Sequence, residues 1–185
     1  MKKKLLFLAL VLVVTALAIM RIAERVPSAD YPLDKRVAAI FVKGGCLDCH
    51  SANPELPGYF KLPVVGKIMK KDVDDGYRAF DMEPLWKSLE KCGCCLNPVD
   101  VAKIEKVALD KRMPMAKYYL VHWGSQMTNA KRDIILEWAT AYRIAHYNDG
   151  LVGERAGEPI RPIDLSLPVD EAKAELGFLL FHDTR

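Results

Sequence analysis

A run of five residues, Cys46-Leu47-Asp48-Cys49-His50, constrains this chain more than any other feature. Two thiols three positions apart, followed at once by an imidazole, form the C-x-x-C-H pattern that attaches a c-type haem. The two intervening residues let one turn of chain present both sulfurs to the vinyl edges of a porphyrin. The pattern therefore predicts one covalent haem c held by Cys46 and Cys49, with His50 as the proximal iron ligand.

The same residues could also be half of a zinc site. A structural zinc site needs a second pair of ligands at matching spacing. The other three cysteines, Cys92, Cys94 and Cys95, have no histidine partner at such a spacing. The haem interpretation is therefore favoured.

The N-terminal segment predicts the compartment. Lysines at positions 2 to 4 precede the run Leu5–Met20, in which only Thr15 is not apolar. A basic stretch before an apolar one is typical of an export signal. We therefore interpret residues 1–25 as a signal peptide or membrane anchor. Ala16-Leu17-Ala18 offers a cleavage site, but it lies inside the apolar run, and an uncleaved anchor in the inner membrane is slightly favoured.

Export agrees with haem attachment, which takes place on the periplasmic side of the bacterial inner membrane, where exposed thiols would otherwise oxidise.

The composition excludes other classes of protein. Lys+Arg 27 against Asp+Glu 24 leaves a net charge of +3, and 51% of residues are hydrophobic. Neither a disordered chain nor a charge-driven nucleic-acid binder is expected. Four further lysines are interpreted as part of an ordinary solvent-exposed face, and the alternative is a basic patch that docks an acidic electron donor. These lysines are Lys61, Lys67, Lys70 and Lys71.

The second axial iron ligand has few candidates. Met113 is followed by Pro114, in a stretch after a predicted helix, and the proline stiffens the chain that would hold a thioether against iron. Met113 is therefore the predicted distal ligand. Met115 and His122 are alternatives, while Met115 and Met127 could equally be ordinary packing residues.

Local signals predict a mainly α fold. Asp34 is expected to cap a helix that runs to Lys43 and ends at Gly44-Gly45, directly before the haem motif. Prolines and glycines predict a loop from Ser51 to Pro63. Asn97 and Pro98 are a favourable start for a helix that runs to about Leu109, and apolar periodicity predicts a last helix from Asn129 to Tyr147.

Taken together, residues 33–147 resemble the bacterial haem-binding domain family, a c-type module with one haem. The resemblance rests on six short matches: Cys46–Ser51, Pro57–Phe60, Asp75–Arg78, Met113-Pro114, Tyr118 with His122, and Leu136–Trp138. It implies a small helical haem domain, similar to class I cytochromes c, after an N-terminal hydrophobic helix. Met113-Pro114 is similar to the ligand methionine and following proline of those cytochromes.

One segment departs from this family. Cys92, Cys94 and Cys95 are three further cysteines where the family needs none. In an oxidising compartment two of them are expected to pair, most easily Cys92 with Cys95. A second metal site or a redox-active dithiol is the less favoured interpretation.

The C-terminal end resembles the beginning of another domain. Residues 148–168 are rich in glycine and proline, and we interpret them as a linker. Residues 169–185 are similar to the opening of the di-haem bacterial cytochrome c peroxidases. The whole chain thus resembles the N-terminal part of the three-haem, membrane-anchored peroxidases, and we expect it to be a fragment of such a protein or a truncated reading frame.

The resemblance implies electron transfer. A quinol or a small cytochrome would reduce the haem, and a di-haem peroxidase core that reduces hydrogen peroxide would accept the electron. The alternatives are a free-standing cytochrome c electron carrier and a haem-based ligand sensor. A chain that is itself a peroxidase would need an acid–base group beside an open iron position, and His122 is the one evident candidate.

Overall fold

The computed structural model describes residues 2–91, 93, 95–119, 122–147 and 170–183, and within these ranges the regular structure is helical with no strand. The mainly α prediction is confirmed. The helices are α1 (Lys2–Ala23), α2 (Leu33–Gly44), α3 (Cys46–Cys49), the 3₁₀ helix η1 (Gly58–Lys61), α4 (Pro63–Ala79), α5 (Glu83–Lys91), α6 (Pro98–Asp110), α7 (Ala116–Tyr119), α8 (Asn129–Tyr147) and α9 (Glu171–Phe181).

Two predicted helix boundaries are confirmed. The Asn97 side chain accepts a hydrogen bond of 2.9 Å from the Val99 N–H, and Pro98 opens α6. Gly45, with φ of 63°, ends α2 in the left-handed conformation that glycine adopts without a steric penalty. The predicted capping role of Asp34 is wrong. Helix α2 begins at Leu33, one residue before Asp34, and Pro32 occupies the N-cap position. Asp34 therefore lies in the first turn, where a carboxylate interacts favourably with the helix dipole.

Helices α4 and α5 have no counterpart among the predicted elements. The predicted loop from Ser51 to Pro63 contains η1, and Pro63 is the first residue of α4. Several apolar residues of α4, among them Val64 and Ile68, are exposed. Their spacing therefore does not mark a buried face, and burial is what apolar periodicity reports.

The chain divides into two compact units, residues 1–142 and 143–185. The core of the first unit is formed by α2, α5, α6 and α8. Its largest fully buried side chains are Val37, Leu85, Leu89, Val101 and Ile135. Trp138 and Tyr142 of α8 are buried as well, and the Tyr142 hydroxyl donates to the Leu96 carbonyl at 2.7 Å. This core supports α3, which begins directly after α2 and packs against α4.

The second unit contains α9, whose first turn is capped by Asp170. Its carboxylate accepts from the N–H groups of Ala172 and Lys173 at 3.1 and 3.2 Å. The helix lies in the segment predicted to begin a further domain. The predicted linker, residues 148–168, lies outside the described residues.

Helix α1 is the one helix in the described ranges that is long and apolar enough to cross a membrane, and an N-terminal signal sequence satisfies the same criterion. Its junction with the first unit is polar. Glu24, which follows α1, accepts from the Lys131 ammonium at 2.6 Å and from the Gly124 N–H at 2.7 Å. Lys131 is only 2% exposed and also donates to the carbonyls of Gly124 and Gln126.

We expect Lys131→Met to lower the free energy of unfolding by about 3 kcal/mol, because it leaves the Glu24 carboxylate buried without its cation. Denaturant unfolding in detergent would measure this loss. The double variant with Glu24→Gln should recover part of the stability, since neither charge then remains buried. A double variant no more stable than Lys131→Met would contradict the ion-pair explanation.

Candidate haem site

The haem motif lies on the wall of a cavity of about 370 Å³. Cys46, Cys49 and His50 line it, and so does Met113, which lies 63 positions after His50 in the sequence. The structure thus brings the four predicted site residues to one cavity. Most of the other lining residues are apolar, among them Phe41, Ala79, Phe80, Met82, Ile104, Val107, Pro114 and Ile135. An apolar cavity of this kind suits a porphyrin face.

The His50 ring is oriented by a backbone carbonyl. Its Nδ1 lies 2.9 Å from the Phe80 oxygen, and the two rings are tilted at 57° with centroids 6.2 Å apart. Because a carbonyl can only accept, Nδ1 carries the proton and Nε2 keeps its lone pair, the tautomer that ligates a metal. The Met82 N–H holds the His50 carbonyl at 2.8 Å. Sequence reasoning missed Phe80, and it had no signal to use, because the contact is made by a main-chain atom.

The thiols of Cys46 and Cys49 are partly shielded from water. Burial, reinforced by the nearby Asp48 carboxylate, raises the pKa of Cys46 to about 12. Burial also raises the pKa of Cys49. Both thiols are therefore protonated at neutral pH, and the thiolate is the form that oxidants attack. Nowhere in the described ranges could three or more His, Cys, Asp or Glu side chains hold a bare metal ion, and this includes the motif itself.

Both ring nitrogens of His122 make hydrogen bonds within the protein. Its Nδ1 donates to the Tyr118 carbonyl at 3.0 Å, which leaves Nε2 to accept from the Tyr59 hydroxyl at 2.9 Å. The ring also stacks on Tyr118, with centroids 4.0 Å apart. Of the alternative iron ligands, Met115 lines the cavity, whereas His122 does not. This arrangement favours a methionine ligand.

Tyr118 connects this histidine to the haem motif. Its hydroxyl donates to the Asp48 carboxylate at 3.3 Å. Burial raises the pKa of both Tyr118 and Asp48. A side chain on Gly45 would collide with the Tyr118 hydroxyl, so glycine is required there for space as well as for its backbone conformation.

Gly76 of α4 lets that helix approach the motif closely. A Cβ at this position would lie 2.6 Å from the Cys49 carbonyl oxygen and 3.1 Å from the Cys49 Cβ. The first distance is too short, and the atom in the way belongs to the backbone. Alanine would therefore push α3 and α4 apart.

We expect Gly76→Ala to lower the free energy of unfolding by about 1 to 3 kcal/mol, the usual cost of overpacking, and to reduce the yield of haem-loaded protein. Thermal unfolding and haem absorbance would measure the two effects. Gly58→Ala is the matched control, because a Cβ there meets nothing within 4 Å. Equal losses in both variants would contradict the close approach at Gly76.

Charged side chains lie where α6 and the turn after it border the cavity. Lys103, Lys106, Asp110 and Arg112 are its lining residues with a formal charge. Lys106 and Arg112 both interact with Asp110, at 3.1 and 3.8 Å, and the Lys103 ammonium lies 4.7 Å from the centroid of the Phe80 ring. Sequence reasoning missed this cluster, although Lys103 and Lys106 share α6 with the residues that predicted that helix.

The remaining predicted features are only partly described. Lys70 and Lys71 form ion pairs with Asp74 and Asp75 along exposed α4, as expected of a solvated face. Cys95 is exposed. Cys92 and Cys94 lie outside the described residues, so the predicted Cys92–Cys95 pairing stays a prediction.

Comparisons with known proteins indicate a haem-binding family. A family model described as the haem-binding domain matches residues 8–141. The cytochrome c peroxidase Ccp of Escherichia coli (strain K12) is 32% identical over 153 residues, which are 82% of this chain and 33% of that relative. The chain thus spans about a third of the relative's length. No solved structure matches. Because the family model covers most of the chain, including the motif and Met113, the chain belongs to the haem-binding domain family.

Proposed function

We propose that the chain is a periplasmic, membrane-anchored electron-transfer module with one covalent haem c. The observation that carries the proposal is the meeting of Cys46, Cys49, His50 and Met113 at one apolar cavity. Two thioether bonds would hold the porphyrin, and an imidazole and a thioether would complete the iron coordination. The bound haem would supply one-electron exchange between ferric and ferrous iron.

The protein's own residues would position the haem and tune its potential. The Phe80 carbonyl holds His50 in the ligating tautomer. A thioether from Met113 and an apolar cavity both stabilise the ferrous state and raise the reduction potential. Lys103 and Arg112, at the charged edge of the cavity, would offset the propionate charges. With both axial positions filled, the iron would exchange electrons without binding substrate.

The proposed partners follow from the relative. It is named a cytochrome c peroxidase, and this chain corresponds to a third of it. We propose that electrons pass from a quinol or a small cytochrome, through this haem, to a di-haem peroxidase core that reduces hydrogen peroxide. The length and apolarity of α1 support an anchor in the inner membrane, with the haem unit on the periplasmic side.

A haem-stained denaturing gel of membrane and soluble periplasmic fractions would test the proposal, because covalent haem survives denaturation. A stained band in the membrane fraction supports an anchored c-type module. A band near 20.8 kDa would indicate a free-standing carrier, and a band of more than about twice that mass would indicate a peroxidase subunit. The absence of any stained band would refute covalent haem.

Redox titration of the purified chain would separate electron transfer from its alternatives. We expect a single one-electron wave, a six-coordinate spectrum and no binding of carbon monoxide by the ferrous protein. Ready binding of carbon monoxide would instead support the ligand sensor. Reduction of hydrogen peroxide by this chain alone would support an independent peroxidase.

A further inference from the structure

The first half of α4 and the residue before it carry apolar side chains on the protein surface. Val64 is 72% exposed and Ile68 53%, and Leu62 and Val65 are also exposed. We refer to these four residues as the α4 stripe. Val64, Val65 and Ile68 lie on neighbouring positions of one helix face. A single exposed apolar residue is ordinary, but a contiguous group of four indicates an interaction surface.

Basic residues border the α4 stripe, and acidic ones are confined to the other half of the helix. Lys61 and Lys67 are exposed beside it. Asp72, Asp74 and Asp75 follow only from the third turn onward, where they pair with Lys117, Lys70 and Lys71. An apolar surface edged with lysine is typical of a helix that lies in the headgroup region of an anionic bilayer.

The α4 stripe is linked to the end of α1 through a short series of contacts. Gly124 packs on that end: a Cβ there would lie 3.0 Å from the Ala23 carbonyl, and its N–H binds Glu24 at 2.7 Å. Two residues earlier, His122 accepts a hydrogen bond from Tyr59 of η1. Helix α4 begins immediately after η1. The first turn of α4 is therefore connected to the end of the hydrophobic helix through Tyr59, His122 and Gly124.

We propose that the α4 stripe rests on the same anionic membrane that α1 enters, so that the haem unit has two points of contact with the bilayer. The proposal rests on the proposed anchoring by α1. The lysines meet lipid phosphates while the four apolar side chains enter the interface. Trp123, 45% exposed and adjacent to Gly124, lies at the junction, where indole rings favour the headgroup region. The Glu24–Lys131 ion pair, at 2.6 Å, joins the end of α1 to α8.

Tryptophan quenching by brominated lipid would test this orientation. The full chain carrying Val64→Trp is reconstituted in vesicles of phosphatidylcholine and phosphatidylglycerol in equal amounts, with either brominated or ordinary acyl chains. The parent chain in the same vesicles corrects for Trp86, Trp123 and Trp138. We expect the fluorescence of the added tryptophan to be lost selectively in brominated vesicles.

Charge reversal provides the matched comparison. Lys61→Glu with Lys67→Glu, added to Val64→Trp, should shift the contact equilibrium by about fivefold or more per lysine and restore the fluorescence. Lys87→Glu with Lys91→Glu changes the net charge equally at two exposed positions of α5 and should leave quenching intact. Absence of quenching, or equal quenching in both charge variants, would overturn the proposal.

Flotation and sedimentation distinguish the possible reasons for an absence of quenching. Flotation of the chain with the vesicles tests anchoring by α1, so a chain that does not float overturns the anchor and this proposal together. A chain that floats with an unquenched tryptophan, and that sediments as a dimer in detergent, has a second copy over the α4 stripe instead. Haem staining of each variant reports whether the unit has folded around its haem.

Discussion

Met113→Ala is expected to lower the reduction potential of the haem by on the order of 0.2 V, a fraction of the range of about 0.8 V over which axial ligands set haem potentials. If Met113 is the proposed distal ligand, loss of its thioether would remove a ligand that favours ferrous iron and would open one face of the haem to water. The variant should also bind carbon monoxide in the ferrous state. Spectroelectrochemical titration and the absorbance spectrum would measure these changes.

Met115→Ala is the matched control for this prediction. Met115 lines the same cavity two residues later, so its replacement removes similar volume without removing the predicted ligand. We expect a smaller change of potential and an unchanged coordination number. If Met115→Ala opens the coordination and Met113→Ala does not, Met115 is the ligand. A Met113→His variant should stay six-coordinate with a lowered potential, which distinguishes ligation from packing.

Cys46→Ser with Cys49→Ser is expected to abolish covalent haem, so that denaturation releases all pigment. In the proposed site each thiol would form one thioether with the porphyrin, and serine could not replace it. His50 and Met113 would remain in the cavity, so the variant could bind haem without a covalent link. A haem-stained denaturing gel beside an absorbance spectrum of the native protein would separate covalent attachment from binding.

Cys95→Ser is the control, because Cys95 is an exposed cysteine outside the cavity. It should retain full haem staining. Single replacements at Cys46 or Cys49 should leave one thioether and a red-shifted spectrum. Undiminished staining of the double variant would show that the haem is attached elsewhere and would refute the assignment of the motif.

The sequence by itself determined the elements whose causes are local. The haem-attachment motif of Cys46, Cys49 and His50 was predicted from spacing alone, because attachment to one porphyrin would require such a spacing along a single turn. The start of α6 at Asn97-Pro98 and the end of α2 at Gly45 follow from capping, which involves neighbouring residues only. The apolar periodicity of α8 was readable because that face is buried.

The tertiary structure decided what depends on residues far apart in the chain. The tautomer of His50 is set by a carbonyl 30 positions away, and the junction after α1 by Lys131, 107 positions from Glu24. His122 became a poor iron ligand only when Tyr59 and Tyr118 occupied both ring nitrogens. Helix α4 was not predicted because several of its apolar residues, among them Val64 and Ile68, stay exposed. For His50, Glu24 and His122 the physical cause is a contact created by folding, which no local pattern of residues encodes.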